Sequence, residues 1–117
     1  MARVRWSSLA ERDHWSLVGW LERHRGPNQA AEATVAIAQA IASAARNPEL
    51  HAWVGNVHAS LAVVPTTVRR VLTGRRRHVI YYRWHPDRDE IQILCIRGGA
   101  QRPPTYEELA PEDGPTG

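Results

Sequence analysis

Lysine is absent from this sequence: all 15 basic residues are arginine. Arginine stays charged and offers a rigid fork of donors to phosphate or carboxylate, but it cannot take up a proton as a buried lysine can. Lysine nucleophiles and lysine bases are therefore excluded. The abundance of alanine points to composition bias as the main origin of the lysine deficit, and the chemical constraint holds whatever its origin. Cysteine is almost absent too. Cys95 has no partner for a disulfide, so a reducing compartment, the cytoplasm, is the expected setting. No apolar run approaches the ~20 residues that span a bilayer. Met1 to Trp6 also lacks the apolar stretch and small-residue cleavage site of a secretory signal. Neither export nor membrane insertion is expected. Two full domains do not fit in 117 residues. At this length folding hides roughly two-thirds of the surface of the unfolded chain, enough for one core without disulfides.

The net charge of +3 conceals an asymmetry. From Pro103 to Gly117 the chain carries Glu107, Glu108, Glu112 and Asp113 and no arginine, which leaves 15 arginines against eight acids in the rest. A basic body of this kind favours an anionic partner: nucleic acid, the ribosome or an acidic protein segment.

Val4-Arg5-Trp6 alternates apolar and polar and reads as a short strand. Ser8 and Glu11 then have the spacing of a helix-opening capping box. Leu17, Val18 and Leu21 recur at helical spacing, with Ala10 and His14 on the same side, and Arg25-Gly26-Pro27-Asn28 breaks the pattern. A helix from about Ser8 to His24 follows. A second is expected from Gln29 to Arg46, where nine of the 16 positions from Ala30 to Ala45 are alanine. Alanine has the best helix propensity and lets a neighbouring helix approach closely. Its stripe Ala30, Ala33, Ile37, Ile41, Ala44 falls on one face, and the short link between the two makes an antiparallel hairpin. Asn47-Pro48 ends it. From Glu49 to Thr67, Leu50, Val54, Val57 and Leu61 would line one face of an extra short helix, interrupted at Gly55-Asn56 and closed by Pro65.

From Val68 the period changes. Val68 to Leu72, His78 to Trp84 and Ile91 to Ile96 are β-branched and aromatic runs separated by short turns, and read as a three-stranded antiparallel meander. The last run is almost continuously apolar and is expected at the centre, covered on both faces. The expected fold is α+β: a small antiparallel sheet, made of the N-terminal strand and the C-terminal meander, packed against the helical hairpin. The domain spans residues 1–102, and residues 103–117 form a proline-rich acidic tail expected to be flexible.

This order of elements, with Val68-Arg69-Arg70-Val71-Leu72, Arg77-His78-Val79-Ile80-Tyr81-Tyr82-Arg83, Ile93-Leu94-Cys95-Ile96 and Gly99-Ala100-Gln101-Arg102, resembles the RelE/ParE toxin superfamily of bacterial type II toxin–antitoxin systems. The resemblance covers roughly residues 3–102. Its most specific part couples Arg69-Arg70 with the Arg-x-x-x-x-Tyr-Arg strand. The resemblance implies an antitoxin partner whose C-terminal segment wraps the basic toxin. It also implies one of two activities: ParE-like poisoning of DNA gyrase by binding, the leading expectation, or RelE-like cleavage of messenger RNA on the ribosome. A protein of this fold that has lost toxicity and only binds its partner is a third reading. Two features depart from the pattern: the insert from His51 to Thr66, which bears on antitoxin docking, and Gly98 where many ParE-like members carry a histidine.

RNA cleavage needs a base, an acid and positive charge around the phosphate. If the chain is an endoribonuclease, the candidates are His78, Arg77, Arg83, Arg97 and Tyr82, with Tyr81 an alternative acid. RelE-like members typically use lysines together with arginines, so the lack of lysine weakens this reading. For partner binding the candidates are Arg69, Arg70, Arg75, Arg76, Arg77, Arg83, Trp84 and Arg97. The alternatives are solvated charge at a hairpin turn for Arg75 to Arg77, and exposed ion pairs of Arg83 and Arg69 with Glu90 or Asp89. Trp6, Trp15, Trp20 and Trp53 lie outside the arginine-rich segment and read as packing residues. The histidine spacing fits no metal site and there is no glycine-rich phosphate loop, so neither metal nor cofactor is expected.

Overall fold

In a computed structural model, which describes residues 1–98 and 101–110, the chain forms a four-stranded sheet with a helical hairpin on one face. The strands are β1 (Arg3–Trp6), β2 (Val68–Leu72), β3 (His78–His85) and β4 (Glu90–Gly98), and the helices are α1 (Ser8–Arg25), α2 (Pro27–Arg46) and the one-turn α3 (Val54–Val57). Among the described residues no helix is long and apolar enough to cross a membrane.

Helix α1 opens one residue earlier than the expected capping box. Ser7, not Ser8, is the cap: its Oγ accepts from the Ala10 N–H at 3.0 Å and donates to the Leu94 carbonyl at 2.9 Å. The second bond explains the choice, because only the cap that also satisfies a buried strand carbonyl can sit at the seam between β1 and β4. Gly26 ends α1 and opens α2 at a φ of 92°, a conformation that glycine adopts without strain. Pro27 follows at the first turn of α2, where its missing N–H is no loss. The expected stripe of α2 is buried in full, with Ala40 and Ala45 beside it.

The strand order is β1-β4-β3-β2. The meander is antiparallel as expected, but β1 pairs with β4 in parallel, so the sheet is mixed. The Ala2 N–H donates to the Ala45 carbonyl at 2.9 Å, so α2 returns the chain to the end where β1 began. β2 therefore leaves in the direction of β1, and two reversals later β4 runs with both. β4 is central and its residues from Ile91 to Ile96 are all buried. Between Tyr81 and Tyr82 the register shifts: Tyr81 faces Cys95 while Tyr82 faces Ile93. Leu94 is the extra residue of this bulge, and Ser7 takes up its carbonyl.

The core has two parts. On the helical face, Ile37, Ile41 and Ala44 pack on Val71, Ile80, Tyr82, Ile91, Ile93 and Ile96. On the other face, Val68, Val79, Tyr81, Leu94 and Cys95 are covered by Val54, Leu61 and Val64 of the insert and by Leu109. The expected stripe of the insert holds at Val54 and Leu61 only, since Leu50 and Val57 are exposed. The insert is tied down instead by Trp53, whose indole N–H donates to the Val64 carbonyl at 2.9 Å, and by Ala52, whose carbonyl accepts the Arg70 N–H at 3.0 Å. Gly55 is required here, because a Cβ would stand 2.4 Å from the Trp53 ring. The segment expected to be flexible from Pro103 is packed as far as Ala110: Pro104 and Leu109 are buried, and Glu107–Leu109 forms a short turn of helix. Residues 111–117 lie outside the described residues.

A candidate arginine site on the sheet

Strand register sorts the candidate residues by face, because directly opposed residues share a side and neighbours along a strand alternate. Arg83 opposes Val68 and Gln92, Arg70 opposes Tyr81, and Arg97 opposes Val79. Val68, Tyr81 and Val79 belong to the cluster away from the helices. Arg70, Arg83 and Arg97 thus share that face, Arg83 and Arg97 towards opposite ends of β4. Arg69 opposes Tyr82 on the helical face, where its Nη1 donates to the His51 carbonyl at 2.6 Å. Trp84 packs against the helix-covered core and cannot share a surface with Arg83. His78 opposes Gly98 and also lies on the helical side.

The three arginines differ in how far they are engaged. Arg97 is held by Asp13 at 3.2 Å and by Glu108, with only 11% of its side chain exposed. Burial raises the Asp13 carboxyl above its usual range, an effect that the Ile96 N–H and Arg97 only partly offset. Burial also raises Glu108, but the Thr105 N–H, Arg102 and Arg97 outweigh it and hold this carboxyl at about 2. In contrast, the Nε atoms of Arg70 and Arg83 are withdrawn from water without an acceptor. The expected ion pairs of Arg83 and Arg69 with Glu90 or Asp89 are not formed: Glu90 opposes His85 and takes Arg5 at 3.4 Å and Arg88 at 3.6 Å.

Of the residues weighed for RNA cleavage, only His78 and Arg77 come together, at the β2–β3 turn; Tyr82, Arg83 and Arg97 lie elsewhere. Tyr82 is fully buried and donates to the Pro48 carbonyl at 2.5 Å. Burial raises its phenol far above the usual range. Tyr81 is buried as well, and burial raises its phenol despite Arg70. His78 is only partly buried; burial and then Arg77 lower its pKa, so it is neutral at neutral pH. Its face is opposite that of Arg83 and Arg97. Cys95 is fully buried, and burial pushes its thiol up to about 12. Among the described residues no cluster of His, Cys, Asp or Glu could hold a metal ion.

Arg75 and Arg77 lie at the β2–β3 turn beside His78 and line a groove against the end of α1. The side chain of Arg76 lies outside the described structure. Trp6 and Trp84 pack on the helix-side core and Trp53 on the other. Trp15 and Trp20, however, are 70% and 45% exposed, so these two are not packing residues. Sequence reading missed Glu108, Asp13 and Ser7. The doubled serine before Leu9 was the signal for Ser7; nothing local marked the two acids, whose partner is supplied by the fold.

A helical hairpin on one face of a small mixed sheet, with Arg70, Arg83 and Arg97 on the other, defines an α+β protein. The chain belongs to the ParE toxin family of the type II toxin–antitoxin system parDE, whose model matches residues 4–103. Its fold is that of a solved structure titled "Chromosomal ParDE TA system from P. aeruginosa", with a TM-score of 0.63 at 22% identity over 84% of this chain and 96% of that one. No curated protein sequence matches the chain.

Proposed function

We propose that this chain is the toxin of a type II toxin–antitoxin pair, that it arrests growth in the cytoplasm by binding a bacterial target, DNA gyrase, and that a cognate antitoxin neutralises it. The observation that carries the binding reading is the division of the candidate residues over two faces of the sheet. His78 and Tyr82 lie on the helical side, with Arg77 beside His78 at the turn but Tyr82 buried away from it, and Arg83 and Arg97 lie on the other. An acid, a base and a phosphate clamp acting on one bond must converge on it.

Arg70 and Arg83 favour an acidic partner segment. Their side chains are partly exposed on the face away from the helices, and a carboxylate from the partner would make charge-assisted bonds to their guanidinium groups. Membership of the ParE family and the fold shared with a ParDE structure support the same partner.

Pulse labelling of DNA and protein synthesis just after induction without antitoxin tests the target. DNA synthesis is expected to stop first, with gyrase supercoiling inhibited by the purified chain and restored by antitoxin. If translation stops first, ribosomal messenger RNA cleavage replaces this reading. Undisturbed growth makes the chain a non-toxic partner-binding module.

A further inference from the structure

The hinge of the helical hairpin and the β2–β3 turn enclose between them a groove of about 960 Å³ that is open to solvent. Its walls come from segments far apart in the chain: Trp20, His24 and Arg25 at the end of α1, and Arg75, Arg77 and His78 at the turn. We propose that this groove binds single-stranded nucleic acid, without cleaving it.

Charge is the first argument. Arg25, Arg75 and Arg77 are exposed, and none forms a hydrogen bond or ion pair among the described residues. Elsewhere Arg5, Arg88, Arg97 and Arg102 are matched by carboxylates. The groove offers one carboxylate, Glu32, against three guanidinium groups. Arg75 also holds a left-handed φ of 66° directly beside a glycine that does not. A side chain disfavours that conformation, and residues so held gather at binding sites.

The aromatic pair selects among anions. Trp20 and His24 are stacked, with centroids 4.5 Å apart and planes 18° from parallel, and the His24 Nδ1 lies 2.9 Å from the Trp20 carbonyl. With Trp20 45% exposed, a flat ring is presented at the wall of an arginine-lined groove. An unpaired base can extend the stack while its phosphates meet the arginines. An acidic peptide or a bare phosphate would leave the ring unused, and a duplex keeps its bases paired. The groove lies on the helical side, away from Arg70 and Arg83, so this inference stands apart from the function proposed above.

Fluorescence anisotropy of the full chain with labelled dT and U oligomers, at rising salt, tests the proposal. Binding is expected to weaken as salt rises, and comparison of the two oligomers assigns DNA or RNA. Arg75→Ala with Arg77→Ala should reduce the log–log salt slope by about 1.4, two phosphate contacts on a single strand. Trp20→Ala should weaken binding about five-fold or more with the slope retained. These side chains are exposed, so the variants should melt with the parent. The proposal fails if the parent does not bind at about 50 mM salt, if the arginine variant binds unchanged, or if a matched duplex binds as tightly. Displacement of the oligomer by polyglutamate at equal charge would make this an acidic-peptide groove, and shortened RNA on a gel would remove the binding-only reading.

Discussion

Glu108, from beyond the last strand, closes on the guanidinium of Arg97, which Asp13 of α1 holds from the other side. One buried cation thus joins a helix, the central strand and the C-terminal segment. The second oxygen of Glu108 takes Arg102 at 3.0 Å, and the Thr105 N–H donates to the same oxygen at 2.9 Å.

Glu108→Gln should lower stability by about 1–2 kcal/mol at neutral pH, because Arg97 is mostly buried but keeps Asp13. The carboxyl of Glu108 is held at about 2 against an ordinary 4.5. A carboxylate depressed in the folded state contributes stability above its unfolded pKa and loses it as the pH falls through the folded value. Urea midpoints of the parent should therefore fall between about pH 4.5 and about pH 2, and those of Glu108→Gln should fall less.

Leu109→Ala should cost about 2–4 kcal/mol, since Leu109 is 1% exposed and closes the second core. Chemical denaturation checks this. A loss under about 0.5 kcal/mol, typical of exposed positions, would mean that this segment does not pack.

Tyr82→Phe should destabilise the fold by about 1–2 kcal/mol by leaving the Pro48 carbonyl without its donor. Growth arrest by the variant should match the parent at a temperature where both are folded. Lost arrest with unchanged stability would return Tyr82 to the catalytic candidates.

Arg83→Ala should weaken antitoxin binding about tenfold, the scale of a substantial interface contact, with little change in melting. Arg97→Ala should instead lower the melting temperature, because it strands Asp13 and Glu108. Calorimetric titration alongside thermal unfolding separates the two. Parent-like antitoxin binding by both Arg83→Ala and Arg70→Ala would rule out this face as the interface.

Much of the fold was legible in the residues. The alanine stripe of α2, the three strands and the central place of β4 follow from periodicity and from a nearly unbroken apolar run, signals that burial of one face or both imposes locally. The cap of α1 was legible only to within one residue, because Ser7 and Ser8 are equivalent until the Leu94 bulge presents a carbonyl to one of them. Leu50 and Val57 match a helical stripe, yet the insert is anchored by Trp53 and Ala52, whose partners lie elsewhere in the chain.

The site was legible as composition and not as geometry. That arginine must carry its charge and that lysine chemistry is excluded are properties of the residue types, which no fold alters. Which arginines share a face was decided by the tertiary structure. Strand register sends Arg69 and Arg70 to opposite faces, a bulge sets both Leu94 and Cys95 on the face of Arg70, and the hairpin carries Trp20 to Arg75 and Arg77. Side-chain direction in a sheet alternates residue by residue, so neighbours in the chain are parted while residues far apart in it meet.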